Sequence, residues 1–359
     1  MAATAIPGRI GGDGKGTGAP DVDRESVDAA GRVPHGSDDV PLDFSANCNP
    51  RVPESVRGAY AGAFAAARSY PDDGYPAFRR AAADYVGCDP GDVIPTPGGL
   101  AAIRLAVATT VGPGDSALVP YPSFGEYARE VRLQGGAVEF VPHDDLLAAD
   151  PADHALAIVC APNNPTGDLP PADRLEGFLD RCRAAGTPLL ADEAFLDFTD
   201  RASLAGREGV IVARSLTKMF GLPGLRAGFA VARGRERERL RTAVPAWALG
   251  TPAAAVGTRC LRATAFVAAT RERVSAERSR LRAALEARGF GVAPSDAPFL
   301  LADVGADPAP LLAALRERGI ALRDATTFRG LDSHVRIAVR TREDHDRLLA
   351  ALDGRDVPP

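Results

Sequence analysis

Of the 42 basic residues in this chain of 359, only Lys15 and Lys218 are lysines. A bias toward arginine explains the scarcity but not the survivors. An arginine guanidinium stays protonated, whereas a lysine amine can lose its proton and attack a carbonyl carbon. Lys15 stands in a Gly-rich stretch, which leaves Lys218 as the lysine in the body of the chain. It closes Arg214-Ser215-Leu216-Thr217-Lys218, and Arg226 follows eight residues later. Two other segments carry unusual polar residues: Pro162-Asn163-Asn164-Pro165-Thr166-Gly167 and Asp192-Glu193-Ala194-Phe195. Taken singly, the first reads as a turn, Asp192 as a helix cap and Ser215–Lys218 as a solvated loop. Taken together they suit a pyridine aldehyde carrying a phosphate. Lys218 would bond the aldehyde carbon, Asp192 would hold the ring nitrogen protonated, and Ser215 and Arg226 would take the phosphate.

These residues must be positioned by an alternating pattern. Short apolar strands are expected at 116–119, 138–141, 155–160, 189–191, 210–213 and 227–232, and helices at 100–111, 124–133 and 172–185. Such alternation predicts an α/β fold with a doubly wound, mostly parallel sheet covered on both faces. The three chemical segments then follow the strands at 155–160, 189–191 and 210–213, and strand carboxyl ends are where such sheets bind ligands. Helical spacing also appears at 53–68 and 75–86, and a Gly/Pro turn at 95–99. Residues 245–252 break the pattern before one long helix over 253–288. The remainder, with elements at 299–304, 311–318, 320–323, 335–339 and 343–352, reads β-α-β-β-α, a small α+β domain. The expected organisation is a mobile tail over 1–30, a segment over 31–70 packing with the small domain, a large domain over 71–250, and a linking helix with the small domain over 251–359.

Composition narrows the function classes. The formal net charge of -5 gives no electrostatic footprint for nucleic acid or an anionic membrane. No apolar run approaches the ~18 residues that span a bilayer, and the N-terminus lacks the ~7–15 apolar residues of a secretory signal. A cytoplasmic protein is expected. Five scattered cysteines without C-x-x-C and five histidines without ligand spacing predict neither a disulfide framework nor a metal site.

On the motifs Asn163-Asn164-Pro165-Thr166-Gly167, Asp192-Glu193-Ala194-Phe195 and Ser215–Lys218 with Pro223-Gly224-Leu225-Arg226, residues 33–355 resemble the pyridoxal-phosphate enzymes of fold type I, the class I/II aminotransferase superfamily. The resemblance implies that Lys218 carries the cofactor, that Asp192 partners the pyridinium nitrogen and that Asn164 donates to the ring 3'-oxygen. It places Gly98, Gly99 and Leu100 at the phosphate, as backbone amides at a helix N-terminus, and Phe124 on the ring face. Tyr70 would reach the phosphate of a neighbouring subunit, which implies a homodimer with a shared site, and Arg336 would clamp the substrate α-carboxylate. Two positions depart from the common pattern. Leu100 stands where many relatives have Ser or Thr, and Phe195 where many have Tyr.

A finer resemblance is to the threonine-phosphate decarboxylases of cobalamin biosynthesis. It rests on His35-Gly36 before Asp43-Phe44-Ser45-Ala46-Asn47-Cys48-Asn49-Pro50, on Pro245-Ala246-Trp247, and on Arg323–Leu331 before Val335–Thr341. Histidinol-phosphate aminotransferases share most of the cofactor motifs and are the alternative. Either substrate is a phosphorylated amine that needs several donor or positive groups, and Arg323, Arg340, His35 and Asn47 are the candidates. The expectation is decarboxylation of L-threonine O-3-phosphate.

Overall fold

A computed structural model describes residues 31–36 and 39–354 of the chain; the expected tail over 1–30 lies outside them. The first elements are β1 (Leu42–Asp43), α1 (Ser55–Ala66) and α2 (Pro76–Val86). An alternating stretch follows: β2 (Val93–Thr96), α3 (Gly99–Thr110), β3 (Ser116–Tyr121), α4 (Glu126–Leu133), β4 (Ala137–Pro142), β5 (Leu156–Cys160) and α5 (Ala172–Ala185). It ends with β6 (Leu189–Asp192), β7 (Val210–Ser215), the short α6 (Leu216–Met219), β8 (Gly228–Val231) and α7 (Gly234–Ala243).

β5, β6 and β7 are buried along their whole length, so both faces of the sheet are covered. The sheet has seven strands in the order β2-β8-β7-β6-β5-β3-β4. β3 to β7 run parallel, whereas β8 is antiparallel to both its neighbours. Residues 93–96, whose Pro95 suggests a turn, form the edge strand β2, a place where a proline without an N–H donor is tolerated.

The long helix expected over 253–288 is two helices. α8 (Thr251–Leu261) and α9 (Thr264–Glu286) are separated at Ala263, whose φ of -87° and ψ of 55° are not helical. Ala253, Val256, Cys260 and Leu261 of α8 join the large-domain core with Phe78, as do Val267 and Val274 in the first half of α9, while Leu281 and Leu285 further along α9 join a second core. That second core belongs to β9 (Gly291–Val292), β10 (Phe299–Asp303), α10 (Ala309–Glu317), β11 (Ile320–Ala321), β12 (Arg323–Asp324), β13 (His334–Ala338) and α11 (Arg342–Leu352). Residues 320–324 therefore supply two strands: β11 pairs with β1, and β12 with β13. Through β1 and Phe44 the N-terminal segment enters the small-domain core, whereas α1 lies against α8.

Candidate active site

β5, β6 and β7 are hydrogen-bonded side by side and parallel, so their carboxyl ends open at one place. A cavity of about 330 Å³ lies there, closed on the far side by the small domain. Lys218, Asp192, Asn164, Ser215, Arg226, Gly99, Leu100, Phe124 and Phe195 line it from the large domain. Arg323 and Arg336 line it from the small domain, and His35 and Asn47 from the N-terminal segment. Residues separated by up to three hundred positions thus meet at one cavity.

Each side chain is placed by its own element. Asp192 is the last residue of β6 and is buried; its Oδ2 accepts from the Tyr127 hydroxyl at 2.6 Å and its Oδ1 from the Ala194 amide at 3.0 Å. Burial pushes its pKa up, against the pull of those two donors and of nearby Lys218. Lys218 stands in the single turn of α6, which Ser215 caps, with its Nζ 3.9 Å from Cys48 Sγ. Desolvation, with Arg336 and Arg226 nearby, lowers the Lys218 pKa and makes the neutral, nucleophilic amine more accessible.

Next to Gly99 and Arg226 of the lining, Gly98 has a φ of 96°, and a Cβ built there would lie 2.7 Å from Arg226 Nη2. A Cβ on Gly99 would lie 3.0 Å from Ser215 Cβ. Bare backbone at the start of α3 is what lets Arg226 and Ser215 close in on its amides. Arg226 itself sits at a φ of 54° and gives its guanidinium to carbonyls of Pro223 and Pro97, not to a carboxylate.

On the small-domain side, Arg336 Nη1 donates to Asn164 Oδ1 at 2.5 Å and Nη2 to the Ser45 carbonyl at 2.8 Å. Its Nε has no partner although buried, and the same is true of Asn47 Oδ1 and Ser45 Oγ. The Phe299 and Phe328 rings lie 5.3 and 5.8 Å from its guanidinium carbon. Burial and Arg323 push the Arg336 pKa down to about 9.

Residues 38–352 match the family model for aminotransferase class I and II. The chain belongs to that family. The aromatic amino acid aminotransferase of Rhodococcus opacus is 35% identical over 82% of this chain and 85% of its own length. The threonine-phosphate decarboxylase of Salmonella typhimurium is 31% identical over 88% of this chain and 91% of its own. Among solved structures, the histidinol-phosphate aminotransferase of Sinorhizobium meliloti in complex with pyridoxal-5'-phosphate superposes with a TM-score of 0.79 at 22% identity, covering 88% of this chain and 90% of that one. The architecture of this class I/II aminotransferase family member is therefore fold type I.

The cofactor is pyridoxal 5'-phosphate. The residues present fit it. The α3 amides, Ser215 hydroxyl and Arg226 form a cradle that any side chain on Gly98 or Gly99 would fill, suited to a phosphate dianion. A buried carboxylate at one point of the cavity and an amine at another match a ring nitrogen and an aldehyde. Among the described residues no cluster of His, Cys, Asp and Glu could hold a metal ion, and no helix is long and apolar enough to cross a membrane.

Among the expected site residues, Gly98, Arg340 and Tyr70 are not in the cavity lining, Tyr70 having been expected at the site of a neighbouring subunit. Arg340 is turned away: its Nε donates to Asp344 at 3.1 Å and its Nη1 to the Asp43 carbonyl at 3.1 Å, tying α11 to β1. Tyr70 lies outside its own chain's cavity, exposed and stacked on Trp247 at 4.3 Å. Tyr127, which sequence reasoning missed, is the buried partner of Asp192; a phenol one turn after Phe124 on the inner face of a helix needs a buried acceptor, and that was the available signal. Thr217, also missed, lines the cavity and shares a 2.8 Å hydrogen bond with Ser215.

Proposed function

We propose that this protein decarboxylates L-threonine O-3-phosphate to (R)-1-aminopropan-2-ol O-2-phosphate and CO2. One observation carries the reading. Arg323 and Arg336 are direct register partners across β12 and β13, both buried and both lining the cavity. Like charges directly opposite on one sheet face are unfavourable, so a ligand with two anionic groups a few bonds apart relieves what the fold alone leaves in tension. A small amino acid bearing both a carboxylate and a phosphate supplies that pair; an aromatic amino acid supplies only its carboxylate.

Arg336 takes the α-carboxylate, and Arg323 with His35 takes the substrate phosphate. His35 is held for this by Glu126 Oε1 at 2.8 Å from its Nε2. When bound, the cofactor supplies an electron sink conjugated to the substrate Cα. Arg336 sets the angle of the Cα–carboxylate bond, on which its cleavage depends. The Cα–carboxylate bond breaks to release CO2, and Lys218 in its ammonium form, made a stronger acid by its lowered pKa, or a water then gives Cα the proton that replaces it.

The working unit is a homodimer. An exposed apolar set, Val52, Tyr60, Phe64, Tyr70 and Trp247, gives a second copy a surface to cover, and Tyr70 would reach the neighbouring phosphate cradle from it. Five unpaired cysteines suit the reducing cytoplasm.

Product analysis of cofactor-loaded protein given L-threonine O-3-phosphate, with no oxo-acid present, tests the reading. Sustained CO2 and aminopropanol phosphate support it. Absence of CO2, with glutamate formed from histidinol phosphate's amine once 2-oxoglutarate is added, assigns the protein to the histidinol-phosphate aminotransferases instead.

A further inference from the structure

A second set of charges lies on the face of the sheet away from the cavity. Glu193 directly follows Asp192 at the end of β6, and Arg214 directly precedes Ser215 at the end of β7. β6 and β7 are hydrogen-bonded neighbours with Asp192 opposite Ala213. Because side chains alternate across a strand, Asp192 and Ser215 face the cavity while Glu193 and Arg214 face the other way.

There they meet. Arg214 Nη1 donates to Glu193 Oε2 at 3.1 Å, and Nη2 donates to Asp197. Glu193 also accepts from the Ser203 hydroxyl at 2.5 Å and the Leu204 amide at 2.8 Å. The Tyr85 ring lies 5.8 Å from the guanidinium carbon, and Arg271 Nε donates to the Asp197 carbonyl at 3.1 Å. Glu193, Asp197 and Arg214 are 2%, 7% and 4% exposed. Every charged group in the cluster has its donors or acceptors, which is the condition under which buried ions are tolerated.

Stability alone is a weak reason for such a cluster, since a buried ion pair is often replaceable by apolar packing at no loss. Its placement gives a better one. Each half is a single residue from a side chain that faces the cofactor. The cluster ties those two strand ends to each other, to the 203–204 loop, to α2 through Tyr85 and to α9 through Arg271.

We infer that the Glu193–Arg214–Asp197 cluster is a positioning device: it fixes the separation and tilt of Asp192 and Ser215, and so the match between the carboxylate that meets the ring nitrogen and the hydroxyl that meets the phosphate. None of the three touches the cofactor or substrate. The inference rests on reading Asp192 and Ser215 as cofactor contacts.

Glu193→Gln tests it, because the amide keeps the shape and the Ser203 contact but removes the charge that orients Arg214. Three quantities are measured: the dissociation constant of pyridoxal phosphate from the apo-protein, the pH titration of the bound cofactor's visible band, and Tm. The expected result is a rise of about tenfold or more in the dissociation constant, because small misplacements in a preorganised site are costly. The band's titration midpoint shifts, and kcat falls while the substrate KM, set by Arg336 and Arg323, changes little. A lowered Tm with wild-type cofactor affinity and titration overturns the inference. Should Glu193→Gln not fold, Ser203→Ala is read by the same criteria, with a smaller expected change. Asp192→Asn serves as control. If it leaves cofactor affinity and titration unaltered, the cofactor reading itself fails; if it alters them while Glu193→Gln does not, only the positioning inference fails.

Discussion

The Tyr127 hydroxyl donates to Asp192 Oδ2 at 2.6 Å in a fully buried position, joining the first turn of the site's helix α4 to the end of strand β6. Burial, with the Asp192 charge beside it, holds the Tyr127 pKa well above the usual phenol value, so it remains a donor throughout the physiological range. Tyr127→Phe removes a hydrogen bond to a charged group, worth about 1.5–3 kcal/mol, and leaves Asp192 less able to hold its charge. Cofactor affinity should fall roughly 10- to 100-fold in equilibrium dialysis. Wild-type affinity would mean that the Asp192 charge does not matter to cofactor binding.

Lys218→Ala should abolish both turnover and the visible absorbance of lysine-bound cofactor. Persistence of either with the purified variant would remove Lys218 from its assigned role.

The depressed Lys218 pKa also predicts a pH dependence of apo-protein stability. In the unfolded chain the lysine titrates near its ordinary value of 10.5, and in the folded chain below it. Between the two pKa values the unfolded state binds the extra proton, so stability rises with pH across that window and is lost as pH falls through the folded pKa. Lys218→Met lacks this term. Its Tm advantage over the wild-type apo-protein should be greatest near neutrality and shrink toward pH 10.5; parallel curves would contradict the buried-amine picture.

Arg336→Ala should raise the KM for the amino-acid substrate by about 10- to 100-fold, the loss of a charge-assisted pair of hydrogen bonds, while cofactor affinity stays near wild type. Arg323→Ala should behave alike toward L-threonine O-3-phosphate but have a smaller effect on an amino acid that lacks the phosphate. If both variants respond equally to the two substrates, the division of labour between the arginines is wrong.

Arg340→Ala tests the opposite case. Its guanidinium ties α11 to β1 and faces away from the cavity, so the variant should lose about 1 kcal/mol of stability with KM unchanged. A large rise in KM at constant Tm would return Arg340 to the substrate site.

What the sequence determined by itself is the chemistry. A lysine cannot be exchanged for arginine where an amine must lose its proton, and Lys218, Asp192 and Ser215 stand just past or at the ends of short apolar runs whose length and burial demand a two-faced sheet. Residue type and strand period carry that information locally. The tertiary structure decided what depends on which face an arginine takes. Arg323, Arg336 and Arg340 lie within 18 residues of one another, and nothing local in the sequence separates Arg323 from Arg340 as candidates for the substrate. Antiparallel register puts the first two opposite each other over the cavity, while the end of β13 turns the third toward Asp43 and Asp344. The break at Ala263 was equally illegible, because the helical spacing continues across it while the backbone there is not helical. Tyr127 met Asp192 for the same reason: a partner sixty-five positions away is fixed by packing between a helix and a strand, which no local pattern records.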